Sequence, residues 1–343
     1  MSRRLKVLVT GASGFVGSNI VRYLAERNHS VVATRRSSNP DPLLADYLED
    51  YSGNVKWVEV DVCDREKVMS LADSHSFDRV IHAAFMTPGS AENEARRAME
   101  ILDSNIGGTV NVLELARKAG AKRFVFVSSS GLYPSTGDTT NPIGEESPSP
   151  YLNMTGFYRV TKISCEKIVE RYSQLYPLEA VAMRLPVMYG PMERTTNSRV
   201  NMGPVHRLLT LALTEGRSTI HVHGMDYAGD WTYVMDAAQG LAAGLTADKL
   251  SPVYNIASGV RYGLREFLDA VNDIPGVSVD WVEVKDKEAA DYAAPVHRMR
   301  GYLSIEKARI ELAYNPVYSP KRGVAEYSEW WRGAADKGLL RAR

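Results

Sequence analysis

The chain has 343 residues, 44% of them hydrophobic and 24% charged, and its 41 Lys+Arg equal its 41 Asp+Glu. Zero net charge leaves no bulk field to draw nucleic acid or an anionic membrane. The two cysteines, Cys63 and Cys165, are too few for a disulfide scaffold or a four-ligand zinc site, and they read as reduced thiols.

The length suits one large domain or two unequal lobes around one site. The basic start, Met1 to Lys6, meets glycines too soon for a signal-peptide apolar region, and no later stretch reaches membrane-spanning length, so a cytoplasmic location is expected. In chain order, the strand Val7–Val9 precedes a helix from Val16 to Arg27, then strands Ser30–Thr34, Val55–Val60 and Arg79–Ala84. One long helix is expected from Glu92 to Ala119, followed by a strand Arg123–Ser128, a Pro/Gly/Ser/Thr-rich loop over 133–150, and a helix Phe157–Leu175. A strand Ala180–Leu185 closes this part. Short apolar strands alternating with helices describe a doubly wound parallel sheet of the Rossmann type. Beyond it come helices at Val205–Thr214 and Val234–Leu245 and strands at Thr219–Val222 and Val253–Ile256. The expected organisation is a dinucleotide-binding domain over 1–186 and a smaller mixed substrate lobe over 187–343, with some elements exchanged between them.

Thr10-Gly-Ala-Ser-Gly-Phe-Val-Gly17 sets glycines at Gly11, Gly14 and Gly17 between a strand and a helix. Side chains there would block the turn or hold a pyrophosphate away from the helix N-terminus. Gly11, Ser13, Gly14, Phe15, Val16 and Gly17 are therefore candidate cofactor contacts. An NAD site usually offers a carboxylate to the ribose about twenty residues further on. This chain instead offers Arg35 and Arg36 after its second strand. Guanidinium groups suit a 2′-phosphate, which favours NADP over NAD; the competing reading is a pair of solvated arginines. Asp61 and Val62 end the third strand, where they would receive the adenine edge, or Asp61 would act as a cap.

Tyr158-Arg-Val-Thr-Lys162 puts a phenol and an ammonium on one helical face. A nearby ammonium and the positive ring of a bound nicotinamide both favour the phenolate, so the pKa of Tyr158 is expected to fall toward a useful range for a base. The strand before it ends in Ser128-Ser-Ser130, and a hydroxyl there would donate to a substrate oxygen.

With the glycine turn, these features resemble the extended branch of the short-chain dehydrogenase/reductase family, which contains nucleotide-sugar epimerases. The resemblance also rests on Asp61-Val62, Ile81-His-Ala-Ala84, Asn105-Ile-Gly-Gly-Thr-Val-Asn-Val-Leu-Glu, Ser-Ser-Ser-Gly-Leu-Tyr133, Tyr189-Gly-Pro and Asp230-Trp-Thr-Tyr-Val-Met-Asp. It implies Tyr158 as proton carrier and Lys162 as a further ligand of the nicotinamide ribose. The serine four residues before Tyr133 is Ser129, which would orient the substrate oxygen, with Ser128 and Ser130 as alternatives. Ala83, Ala84, Leu185 and Pro186 would border the cofactor, and Asn105 would support the active-site helix or simply pair with backbone. Met86, Thr87, Ser130 and Val187 are candidate substrate contacts. A homodimer through the helices around Asn105 and Tyr158 is implied as well. The implied reaction is reversible oxidation of a secondary alcohol of a small, sugar-like substrate; epimerase and dehydrogenase or reductase outcomes stay open. The contrasting class is a non-catalytic dinucleotide sensor, which would not need the Tyr/Lys pair that this chain keeps.

Nucleotide-sugar members often carry an asparagine and an arginine where this chain has Val187 and Gly229. Losing a donor and a cation weakens a pyrophosphate site, so the expected substrate is a free sugar, sugar acid or similar polyol. Arg194, Arg199 or Arg207 would restore the nucleotide reading if they compensated. Dehydratases typically place Asp-Glu after the catalytic hydroxyl residue, whereas Ser130-Gly131 stands here, against dehydration. No metal site is expected: His221 and His223 lack a third ligand at suitable spacing. His82 reads as a packed, hydrogen-bonded residue, and Trp330-Trp331 as aromatics docking a helix.

Overall fold

The computed structural model describes residues 4–37, 39, 41–135, 137, 140–147, 155–196, 199, 201–296 and 299–340. Residues 1–3 of the basic start, residues 136, 138 and 139 and the end of the expected 133–150 loop at 148–150 lie outside the described residues.

The chain begins β1 (Lys6–Thr10), α1 (Phe15–Glu26), β2 (Ser30–Arg35), α2 (Pro42–Tyr47), β3 (Val55–Glu59), α3 (Arg65–Ser74) and β4 (Arg79–His82). It continues α4 (Ala91–Arg96), α5 (Ala98–Leu102), α6 (Gly108–Lys118), β5 (Arg123–Ser129), α7 (Phe157–Leu175) and β6 (Glu179–Leu185). With the strand Val253–Asn255 these form one seven-stranded sheet in the order 253–255, β6, β5, β4, β1, β2, β3. Every pairing in that sheet is parallel. Val7, Leu8, Val9, Val80, Ile81, Phe124 and Val125 are wholly buried, as strands covered by helices on both faces require. The order reverses between β1 and β4, and a cleft opens outside the carboxyl ends of strands at such a switch point.

The expected single helix from Glu92 to Ala119 is instead broken. Arg97 interrupts α4 and α5, and a π-turn at Asp103–Gly107 separates α5 from α6. The extra residue of a π-turn redirects a side chain, here that of Asn105. Gly108 just beyond it lets the helix approach the segment after β3, since a Cβ there would sit 2.7 Å from Val62 Cγ2. Amphipathic spacing alone carries no sign of either constraint.

The rest of the chain is shared between layers. The helix Val234–Ala243 packs on α1, and its Val234, Ala237, Ala238 and Leu241 join the core of the main sheet. A second core gathers Leu208, Ile220, Val222, Trp231, Phe267, Tyr327 and Trp331. It lies around a parallel three-stranded sheet, in the order 280–283, 219–223, 292–293. Trp331 lies on the helix Pro320–Asp336, edge-on to His206 at 5.0 Å, while Trp330 meets Tyr47 at 6.2 Å. No described helix is long and apolar enough to cross a membrane.

Candidate active site

The cleft at the switch point has a volume of about 1670 Å³ and runs from the glycine turn to the second core. Its first wall is backbone. Gly11 has φ +65°, and a Cβ there would lie 2.5 Å from Ala84 N; a Cβ on Gly17 would lie 2.1 Å from Gly11 O. The turn therefore packs flush on the segment after β4, where Ala83 and Ala84 line the cleft with Ser13, Gly14, Phe15 and Val16. Gly14 caps α1 with no side-chain hydrogen bond, so the first-turn N–H groups face the cleft with no side-chain acceptor. A cradle that a Cβ would fill, at a bare helix N-terminus, fits the pyrophosphate of a dinucleotide.

Arg35 ends β2 with its guanidinium 5.6 Å from the centre of the Trp57 ring, and its buried Nε lacks a partner. Arg36 is exposed at the same rim. Val62 lines the cleft, whereas Asp61 does not; Asp61 Oδ1 accepts from the N–H of Cys63 at 2.9 Å in the turn before α3, and the cap of that helix is Asp64, not Asp61.

The three serines after β5 separate by direction. Ser128 is buried and donates to Glu166 Oε1 at 2.5 Å, and that carboxylate also takes Arg184 Nε and Nη2 at 2.9 and 2.7 Å. Ser130 is buried, its Oγ accepting from Arg300 Nη2 at 2.6 Å. Ser129 stands beside the phenol: a Cβ on Gly131 would lie 3.2 Å from Ser129 Oγ and 3.9 Å from Tyr158 Cε1, and Ser129 Oγ accepts from the N–H of Gly131 at 3.0 Å. With one lone pair held by the main chain, the hydroxyl is oriented to donate into the cleft.

Tyr158 stands edge-on to Phe85 at 5.8 Å. Its pKa is raised, not lowered as the sequence suggested. Burial pushes it up, and the Ser129 hydrogen bond and the Arg199 charge pull it down less strongly. The physical reason is the position of Lys162. Its Nζ donates to Val127 O at 2.6 Å, sits 3.4 Å from the centre of Phe85, and lies 5.8 Å from the centre of the Tyr158 ring. Burial dominates the ammonium too and pushes its pKa down to about 7. In the free protein the phenol thus stays protonated.

Asn105 is wholly buried and does not line the cleft. Its Oδ1 accepts from the N–H of Met86 at 2.7 Å, and its Nδ2 donates to Met86 O at 3.2 Å and Thr161 Oγ1 at 3.1 Å. It clamps the loop after β4 to α7. A second clamp is one the sequence did not reveal: Glu94 Oε1 accepts from the N–H of Phe157, capping α7 beside Gly156, whose φ is +85°. Met86, Thr87, Leu185, Pro186 and Val187 all line the cleft; Thr87 bridges to Arg199, and Val187 pairs with Trp231.

The cations considered as compensators are engaged elsewhere. Arg194 pairs with Asp41 and donates to Ser13 O, Arg199 pairs with Glu193 at 2.8 Å, and Arg207 pairs with Glu215 at 2.8 Å. Asp230 is buried and latches distant loops together, accepting from Ser258, Thr232 and the N–H of Leu303. His82 is held between Thr10 Oγ1 and Thr109 Oγ1 at 2.6 and 3.0 Å, and burial pushes its pKa down to about 3, so it is neutral. His221 meets Asp291, and His223 meets Val284 O. Among the described residues no three potential ligands gather around a metal position.

A doubly wound sheet, a glycine cradle at its switch point and a polar cleft beyond define a dinucleotide-dependent α/β enzyme. Comparison with known proteins specifies which. The model of the "NAD dependent epimerase/dehydratase family" matches residues 7–257, and the chain belongs to that family, within the extended short-chain dehydrogenases/reductases. It is 28% identical over 313 residues to a UDP-glucose 4-epimerase of Erwinia amylovora, covering 84% of this chain and 88% of that protein. It is 26% identical to a dTDP-glucose 4,6-dehydratase of Escherichia coli, covering 95% of this chain and 92% of that protein. In fold it matches the crystal structure of a UDP-glucose 4-epimerase from Stenotrophomonas maltophila with bound NAD and formylated UDP-arabinopyranose. The TM-score is 0.80 at 20% identity, over 97% of this chain and 100% of that one.

Proposed function

We propose that the chain interconverts a secondary alcohol and its ketone on a sugar-like substrate, with Tyr158 as proton carrier, Ser129 as donor to the reacting oxygen and Lys162 as ribose ligand. The observation that carries this reading is the Ser129 hydroxyl set beside the Tyr158 ring, both within 4 Å of the position a Gly131 Cβ would take, with the serine held by the Gly131 N–H. A nicotinamide dinucleotide, when bound, accepts the carbon-bound hydride and returns it. The chain's own residues do the rest. Tyr158 Oη takes the proton of the substrate hydroxyl or restores it, and the Ser129 hydroxyl stabilises charge on that oxygen. Phe85 and Phe126 exclude water around Lys162 Nζ. A positive charge brought near Tyr158 would reverse the upward push of burial.

The backbone turn, Ala83, Ala84, Val62, Leu185 and Pro186 would hold the dinucleotide, with NADP preferred over NAD. The unpartnered Arg35 Nε beside Trp57 and the exposed Arg36 support that preference. The substrate is assigned as a free sugar, sugar acid or similar polyol: Val187 and Gly229 supply no anion contact, and Arg194, Arg199 and Arg207 are already paired. Dehydration is disfavoured, because Ser130 follows Ser129 and its hydroxyl is taken by Arg300. The second reading, a nucleotide-sugar 4-epimerase or reductase, is favoured by the relatives' names and by the size of the cleft. A homodimer through α5 and α7 is part of the proposal, supported by Met99 (70% exposed) and Val160 (39% exposed) on those helices; light scattering would test it.

The deciding experiment incubates free sugars, sugar acids and nucleotide sugars with NADP and with NAD, following reduced-cofactor absorbance and epimer formation. Turnover of a free sugar or sugar acid with NADP is expected. Micromolar binding and turnover of UDP or GDP sugars alone would transfer the assignment to the second reading.

A further inference from the structure

Among the described residues, eight arginine and lysine side chains line the cleft against three carboxylates, although charges cancel over the whole chain. Arg199 and Arg207 are paired with acids just outside the cleft, and Arg194 with Asp41 on its wall. Of the remaining cations, Arg159 and Arg300 come together at one place. Neither is paired with a carboxylate of the described residues, and they converge. Arg300 Nη1 donates to Ser130 O at 2.6 Å and to Tyr133 O at 3.4 Å, and Arg159 Nη2 donates to the same Tyr133 O at 3.5 Å. Arg159 Nε is buried with no partner. Asp230 is near enough to act on Arg300 through space, but both of its oxygens are hydrogen-bonded elsewhere.

Two guanidinium groups sharing one neutral carbonyl repel each other, and neutral acceptors do not cancel that repulsion; an anion between them would. Burial pushes Arg300 below its ordinary range; Tyr227 and Asp230 pull it up, and the Arg159 charge adds a smaller downward push. The pair also stands at the reacting end of the cleft. Arg159 directly follows Tyr158, Ser130 directly follows Ser129, and a Cβ on Gly131 would lie 3.9 Å from Tyr158 Cε1.

From this geometry we infer that Arg159 and Arg300 form an oxyanion site that holds an acidic group of the substrate, a carboxylate on the sugar itself, beside Ser129 and Tyr158. The inference deepens the proposed function and rests on it. A carboxylate meets the planar, multiply donating guanidinium in two parallel hydrogen bonds, and the unpartnered Arg159 Nε supplies one such donor. Ser130 is then the residue that aims Arg300, through both its carbonyl and its hydroxyl.

The test is calorimetric binding to the cofactor-loaded protein, using D-glucuronate against D-glucose, D-galacturonate against D-galactose, and UDP. At least one uronate should bind more tightly than its neutral counterpart. Arg159→Gln and Arg300→Gln should each weaken that uronate roughly ten- to a hundredfold, with neutral-sugar and cofactor binding changed by less than about twofold. Arg300→Lys should recover part of the loss. Thermal melting of both variants separates a lost contact from a lost fold, and Arg159, on the cleft side of α7, is the milder change. If UDP alone depends on the two arginines, the site takes phosphate and the carboxylate assignment is overturned. If no uronate outbinds its neutral sugar, or if both variants bind it unchanged, the inference fails altogether. Those outcomes leave the hydroxyl–ketone reading intact; that reading falls separately if Tyr158→Phe keeps its turnover.

Discussion

The two ends of the cleft are built from different materials. The dinucleotide end is mostly main chain: a glycine turn whose Cα atoms press on Ala84 and on each other, and a helix N-terminus without a side-chain cap. The substrate end is mostly side chain: Ser129, Tyr158, Arg159 and Arg300 reach it from β5, α7 and a loop near residue 300, held by Ser130, Asn105 and Glu94. A main-chain site restricts which residues fit without choosing among ligands in detail. A side-chain site does the choosing, and there a single substitution separates chemistry from binding.

The largest expected effect tests that separation at the phenol. Tyr158→Phe should lower turnover about 10²- to 10⁴-fold while leaving dinucleotide affinity within a few-fold, read by single-turnover kinetics and cofactor fluorescence. Loss of both together would mean that the two ends are not independent. Ser129→Ala should follow, with a loss of roughly 10²- to 10³-fold in turnover. Ser130→Ala should act mainly on KM, because its hydroxyl aims Arg300 and does not face the phenol; equal kcat losses at both positions would refute the directional sorting of the serines.

At the other end, Gly17→Ala forces a Cβ to 2.1 Å from Gly11 O. It should cost about 1–3 kcal/mol of stability together with dinucleotide binding, seen by chemical denaturation and titration. Arg35→Ser should weaken NADP about tenfold or more and leave NAD nearly unchanged; an equal loss for both would make Arg35 a general rim cation. The most gradual effect concerns Lys162. Its folded pKa of about 7 lies below the ordinary 10.5, so between those values the unfolded chain holds the extra proton. Stability should therefore rise with pH across that window, by at most about 1.4 kcal/mol per pH unit. Lys162→Met should flatten the rise in denaturation curves taken at several pH values, and an unchanged slope would show that the ammonium is solvated.

What could be read in advance follows the same division. The strands of the main sheet stand within a residue or two of their expected bounds, because buried parallel strands must be continuous apolar runs. The glycine turn was legible because close backbone approach admits no other residue. The breaks in the helix through Asn105 are not legible, since amphipathic spacing does not record a π-turn or the approach of Gly108 to Val62. Spacing along the chain does not separate Ser129 from Ser128 and Ser130; the resemblance selects Ser129, and the partners of the other two, Glu166 and Arg300, come from the tertiary structure. Motif spacing gives the nearness of Lys162 to Tyr158 but not the burial that raises the phenol's pKa in the free protein. Glu94 and Arg300 left no sequence signal at all.

By itself, then, the sequence determined the parallel sheet, the dinucleotide cradle, and the Tyr158 and Lys162 pair at one helical turn, because each is a local pattern with a local steric or periodic cause. Only the tertiary structure decided what the hydroxyls of Ser128 and Ser130 are bonded to, which cations are spent on neighbouring acids, and that Arg159 and Arg300 meet over one carbonyl. Those outcomes depend on burial and on where the chain folds back on itself, as when Arg300 reaches Ser130 and Tyr133 from about 170 positions away, and neither is encoded in spacing along the chain.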